Sequence, residues 1–288
     1  MSFIIGYKLL LLLVIILTLN DFNSNNFYGE TSQKPRIILV GSSNLDHNFD
    51  YNLLNNQFFE YDVIGCSLSE PSGLFATIYK LEKLNPNKND IIIFCLPHSL
   101  YELDKFLPIK NHQKTGFTKK LLFKSFQIFP IEFFHALIST NILDTYKLIH
   151  KRGFTKSTEN NTISFESIPS VQLDKKYKNC YVNEKDVFFI RSISFDEDYL
   201  NKIHDYLTKE FDSEIFFRFP SIKQNEFDIN MERLSFLRSR YSFINNFKAS
   251  IFKNEYWYDR WYHLNSCGRD LNTKKLISEI LMKQTQNN

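Results

Sequence analysis

Three apolar runs alternate with helix-like segments between residues 36 and 96, and that alternation constrains the fold more than any other feature of the chain. Arg36-Ile37-Ile38-Leu39-Val40 stops abruptly at Gly41-Ser42-Ser43-Asn44. A short polar connection follows, then an amphipathic helix over 50–59. Tyr61-Asp62-Val63-Ile64-Gly65 reads as a second strand ending in glycine, and 74–81 as a helix with one apolar face. Asn85-Pro86-Asn87 breaks that helix ahead of a third strand over 90–96, whose Ile91-Ile92-Ile93-Phe94 core is apolar throughout. Strands that are apolar without alternation are buried on both faces. Repeated strand–helix–strand order predicts an α/β fold with a central parallel sheet.

In open sheets of this kind, ligands bind beyond the carboxyl ends of the strands. The residues that follow the first strand therefore carry the functional question, and the central one is whether Ser43 is a nucleophile. Two readings of Ser43 stand at this level: a nucleophile, or the N-cap of the next helix.

The amino terminus is a separate unit. Leu9 to Leu19 is apolar apart from Thr18, with Lys8 before it and polar residues after it. A signal-peptide core is roughly 7–15 residues and a full membrane span about 20. Residues 1–20 thus read as a signal anchor or signal peptide. No small-x-small cleavage site follows, which favours an anchor, and the charge order puts the bulk of the chain outside the cytoplasm. Residues 21–34 read as a linker, and 35–288 as one domain.

Within that domain the rhythm breaks at about 105–180. Residues 121–150 are helix-like and aromatic, and 156–178 are polar and irregular; the stretch reads as a helical insertion near the carboxyl edge of the sheet. The α/β pattern returns with a strand over 187–190, a helix over 196–211, a strand over 214–219 that Pro220 ends, and a helix near 228–237. An amphipathic helix over 273–283 closes the chain.

Net charge is +3, from 35 basic and 32 acidic residues, a balance that argues against a nucleic-acid partner. Gly41 stands alone where a dinucleotide fold needs a glycine triplet. No phosphate loop or His-Glu-x-x-His is present, so neither a nucleotide nor a metal is implied as cofactor. The four cysteines, Cys66, Cys95, Cys180 and Cys267, have no metal-ligand spacing and read as free, mostly buried thiols. His47 and His204 read as solvated.

A serine becomes a nucleophile at neutral pH when a base takes its proton, and a carboxylate-held histidine is such a base. Asp259-Arg260-Trp261-Tyr262-His263 offers both on one loop near the last helix. The backbone N–H groups of Ser43 and Gly65 are candidate donors to an oxyanion. The aromatic residues Tyr256, Trp257, Tyr258, Trp261 and Tyr262 suit either core packing or stacking on sugar rings.

Gly41-Ser42-Ser43-Asn44 after the first strand, Gly65 after the second, and Asp259…His263-Leu264-Asn265…Gly268 before the last helix resemble the SGNH/GDSL hydrolase superfamily. The similarity is greatest to its membrane-anchored, envelope-facing branch, which includes the teichoic-acid D-alanylation and polysaccharide O-acetylation proteins. The resemblance implies a three-layer flavodoxin-like sandwich. It also implies a triad of Ser43, His263 and Asp259, with Gly65, Asn44 and His98 around the oxyanion or substrate. There are three departures, one of them the three residues between Asp259 and His263 where the family usually has two. Ser42 stands where the family has Asp, and Leu96-Pro97-His98 replaces its Gly-x-Asn-Asp. The expected function is serine-dependent hydrolysis or transfer of an acyl group, expected to be O-acetyl, on an envelope glycan. The alternative is a catalytically silent envelope scaffold of the same fold that binds glycan or an assembly protein.

Overall fold

A computed structural model describes residues 34–67, 73–95, 180, 197–229, 231–232, 243–258 and 263–287. The apolar amino-terminal run, the linker through residue 33, the insertion up to residue 179, the expected strand over 187–190, His98 and Asp259 lie outside the described residues. Among the described residues, no helix is long and apolar enough to cross a membrane.

Among the described residues, four parallel strands form the central sheet: β1 (Arg36–Gly41), β2 (Asp62–Ser67), β3 (Ile91–Cys95) and β4 (Glu214–Phe217), in the order β2-β1-β3-β4. The order reverses at β1, which has β2 on one side and β3 on the other. Such a reversal opens a crevice at the carboxyl ends of the strands flanking it. β1 and β3 are buried at every position, as their unbroken apolar sequences require. β2, at the edge, is only partly buried.

The two faces of the sheet separate the side chains of β1 by parity. Ile38 and Val40 pack with Ile78 and Leu81 of α3 (Gly73–Lys83) and with Ile203 and Leu207 of α4 (Glu197–Glu210). Ile37 and Leu39 pack on the other face, against Leu45 of α1 (Ser43–Asn48), Leu54 of α2 (Tyr51–Gln57), and Leu276 and Ile280 of α5 (Ser266–Asn287). Helices therefore cover both faces of the sheet, the α/β arrangement expected from the strand–helix rhythm.

The amino edge is locked by a buried ion pair. The Arg36 guanidinium reaches both carboxylate oxygens of Asp90 and donates onward to the carbonyls of Leu84 (2.7 Å) and Asn85 (3.0 Å), satisfying groups that the end of α3 leaves open. Beyond β4 a two-stranded parallel ribbon, β5 (Ile222–Lys223) with β6 (Ile251–Phe252), extends the fold. Asn245 ties it to the main sheet: its Oδ1 accepts the Phe219 N–H at 2.8 Å, and its Nδ2 donates to the Phe219 carbonyl at 3.1 Å.

Several boundaries differ from expectation. The polar connection after β1 is the helix α1. β2 does not end at Gly65; it runs on to Ser67, and Gly65 lies inside the ladder opposite Leu39. The helix expected near 228–237 begins at residue 224. α5 starts at Ser266, seven residues before the expected start, because the side chain of Asn265 accepts the Gly268 N–H at 3.0 Å and caps it. Cys180 and Cys267 are joined as a disulfide, with Cα atoms 5.2 Å apart, so the expectation of free thiols fails for that pair. It holds for Cys66 and Cys95, which are free and buried.

Candidate active site

Gly41 ends β1 level with Ser67 of β2 and Cys95 of β3. A β-carbon at Gly41 would stand 2.7 Å from the Cys95 carbonyl and 3.0 Å from Leu45 Cγ. Only glycine lets α1 fold back so closely over the strand end. Ser42 is extended (φ −108°, ψ −161°) and is the N-cap of α1, its Oγ facing the Asn44 N–H at a long 3.5 Å. Ser43 is thus the first residue of the helix rather than its cap. Its backbone stands directly beyond the carboxyl end of β1. Asn44 is buried at the same turn.

α1 carries three further polar residues, Asp46, His47 and Asn48. Asp46 accepts the Ser67 hydroxyl on both carboxylate oxygens, at 3.0 and 3.2 Å. The Lys80 ammonium donates to the Ser67 carbonyl at 3.0 Å. Burial pushes the Asp46 carboxyl up from its ordinary value, opposed by the Ser67 hydrogen bond and by the positive charges of Lys80 and His263. The His47 ring lies against the His263 ring, with centroids 4.1 Å apart, so His47 is not on a solvated face. Asn48, also buried, accepts the Leu264 N–H on Oδ1 at 2.8 Å.

These contacts seat the His263 segment on α1, and backbone bonds to residues 256–258 hold it on its other side. Trp257 and Leu264 form an antiparallel bridge. The Tyr258 N–H donates to the His263 carbonyl at 2.9 Å, and the Asn265 N–H donates to the Tyr256 carbonyl at 3.0 Å. Asn265 Nδ2 reaches the Glu255 carbonyl at 2.7 Å. Gly268 allows the first turn of α5 to press on this hairpin, since a β-carbon there would meet the Tyr256 carbonyl at 2.5 Å. Trp257 is fully buried and donates its indole N–H to the Phe252 carbonyl, so it belongs to the core. The disulfide adds a last constraint: Cys267, four residues after His263, holds Cys180 beside the same turn.

Ser43 and Asn44 thus open α1 at the carboxyl end of β1, and His263 is seated on the same helix through His47 and Asn48. Gly65 sits two residues further back along β2, while His98 and Asp259 lie outside the described residues. Asp46 and His47 had one sequence signal available. If 43–48 is helical, positions 46 and 47 share the face of residue 43. The nearby free thiols are chemically quiet, because burial pushes both Cys66 and Cys95 up to about 12. Compared with protein-family models, with curated proteins and with solved structures, the chain matches none.

Proposed function

We propose that the protein is an envelope-facing, SGNH-like serine acyl ester hydrolase or acyltransferase of flavodoxin-like architecture, acting on the O-acetyl groups of an acylated glycan. The observation that carries this reading is the seating of His263 on α1, the helix that Ser43 begins, through the His47 ring and the Asn48–Leu264 hydrogen bond. A reactive serine needs a base held at a fixed place beside it, and two residues 220 positions apart in the chain meet that requirement only through such contacts.

In this mechanism Ser43 attacks the ester carbonyl as His263 takes its proton. Backbone N–H groups at the strand ends receive the oxyanion, and Asn44, Gly65 and His98 are the further candidates. His263 returns the proton to the leaving alkoxide, giving an acyl-serine. Water or a sugar hydroxyl, deprotonated by the same imidazole, attacks the acyl carbonyl, and the imidazolium returns that proton to the departing Ser43 oxygen. Asp259 is the candidate carboxylate behind His263. The residues imply no cofactor. The Cys180–Cys267 disulfide supports an oxidising compartment, in keeping with an anchored, extracytoplasmic domain.

A fluorophosphonate ester tests the reading. The full chain is expected to be labelled at Ser43, and Ser43→Ala to abolish labelling. Labelling that persists in Ser43→Ala overturns the assignment. The second reading, a silent scaffold that binds glycan or an assembly protein, is favoured by Leu96-Pro97-His98 in place of the Gly-x-Asn-Asp motif. It predicts glycan binding with neither labelling nor ester cleavage.

A further inference from the structure

We propose that His47 is a positioning residue of the same site, fixing the plane of the His263 imidazole against the helix that Ser43 begins; this rests on the esterase reading above. Three consecutive side chains of α1 go to three different partners. Asp46 turns to the Ser67 hydroxyl, at 3.0 and 3.2 Å. Asn48 accepts the backbone N–H of Leu264 and so fixes where the chain beside His263 runs. His47, between them, lies with its ring against the ring of His263, centroids 4.1 Å apart and planes tilted by 40°. Both histidines are half-buried. His47 is also one helical turn beyond Ser43, on the helix face that residue 43 shares.

A fixed backbone does not by itself orient an imidazole. The torsion that turns the ring joins a tetrahedral carbon to a planar one, and its preferences are broad. A hydrogen bond to one ring nitrogen selects the tautomer but leaves the ring free to rock about that bond. A contact on the ring face removes this freedom. Aromatic rings settle with centroids roughly 4.5–7 Å apart. At the 4.1 Å found here, a quarter turn of the His263 ring would drive its edge into His47. His47 thus limits the plane in which the base presents its nitrogen. Proton transfer needs the base within hydrogen-bond reach and in line, so orientation of this kind bears directly on rate. His47 acts through His263 and needs no proton of its own for this role.

Two readouts test this in the full chain. The first is independent of activity. Proton–carbon NMR is expected to show the His263 ring protons displaced by the ring current of His47. That displacement should vanish in His47→Ala and return in His47→Phe. The Leu264 amide should stay protected from hydrogen exchange in both variants, because Asn48 still holds it. His263 ring resonances that do not respond to His47→Ala overturn the proposal. Loss of Leu264 protection in His47→Ala overturns it too, since His47 would then hold the segment rather than the ring. The second readout is the rate of fluorophosphonate labelling at Ser43. His47→Ala is expected to slow it about ten- to a hundredfold, the scale on which a misplaced reacting group loses rate. His47→Phe, which restores a ring with no proton to give, should recover most of that rate. Labelling of His47→Ala at the native rate overturns the proposal. So does His47→Phe as slow as His47→Ala, which would make the nitrogens of His47 the active feature. If the native chain is not labelled at all, the esterase reading falls, and the NMR readout alone decides whether His47 fixes the His263 ring.

Discussion

Asn48 Oδ1 accepts the backbone N–H of Leu264 at 2.8 Å, joining residues 216 positions apart at the carboxyl end of the sheet. The Asn48 carbonyl in turn accepts Asn272 Nδ2 at 2.9 Å, so one residue ties α1 both to the His263 hairpin and to α5. Asn48→Ala leaves a buried N–H without its acceptor and should cost about 1–3 kcal/mol. Urea denaturation measures this. Loss of Ser43 labelling well beyond the loss of folded protein is also expected, because His263 is freed from α1. A variant that unfolds at the native urea midpoint would show that the contact is dispensable.

Arg218 and Glu279 form a second buried link, between the end of β4 and α5. Arg218 Nε donates to Glu279 Oε2 at 2.7 Å, Nη2 donates to Asn272 Oδ1 at 3.0 Å, and the guanidinium lies 5.3 Å from the centre of the Phe49 ring. Side-chain exposures of 1% and 5% mean that neither charge has water to fall back on. Glu279→Ala should therefore destabilise by about 3–5 kcal/mol. Arg218→Met combined with Glu279→Leu should recover most of that loss. Equal destabilisation in the single and double variants would contradict this account.

At Gly41 the constraint is one of space. A methyl group would run into the Cys95 carbonyl, which belongs to the sheet and has little room to yield. Gly41→Ala is expected to cost about 1–3 kcal/mol by overpacking. It should also move α1, so labelling of Ser43 should fall more than stability does. A thermal melt and a labelling rate on the same sample separate the two.

The cysteines divide cleanly into one bonded and one free pair. Without reductant, the folded chain should react with no equivalent of a thiol reagent, because Cys66 and Cys95 are buried and their thiols are pushed up to about 12. Denaturation should release those two, and reduction the other two. Closing a loop across 87 positions stabilises by up to about 4.6 kcal/mol, so reduction should shift the unfolding midpoint down markedly. Four reactive thiols in the denatured, unreduced chain would remove the disulfide from the account.

Asp46 makes stability depend on pH in a defined direction. Its carboxyl is pushed above the ordinary 3.8, first by burial, so the folded state holds that proton more tightly than the unfolded state does. The native chain therefore loses stability as pH rises through that window, and the loss is fully relieved below 3.8. Asp46→Asn carries no such charge. Its advantage over the native chain should be largest near neutral pH and shrink as the pH falls. Urea midpoints for both chains between about pH 4 and 7 check the sign. An advantage that grows on acidification would reverse it.

The central strands were legible because burial on both faces leaves an unmistakable apolar run. Arg36–Gly41 and Ile91–Cys95 need only their own residues to be read as strands. The helix Glu197–Glu210 and the break at Asn85 were legible for the same local reason. The helix Ser43–Asn48 was not. Six residues reading Ser-Asn-Leu-Asp-His-Asn have one apolar side chain and too little length for a period, and an isolated helix that short does not hold in water. Leu45 in the core, the Ser42 cap and the clasp from Asn48 to Leu264 make it one.

By itself, the sequence determined which stretches must be buried, and so the parallel sheet, its covering helices and the serine at the end of the first strand. The tertiary structure alone decided what surrounds that serine. It carried β2 past Gly65 to Ser67, started the last helix at Ser266, paired Cys180 with Cys267, and brought Asp46 to Ser67 and His47 to His263. The physical reason is range. Burial acts through the composition of a single segment, whereas strand register, helix caps made across the fold, and the pairing of charges depend on groups that meet only when distant segments pack.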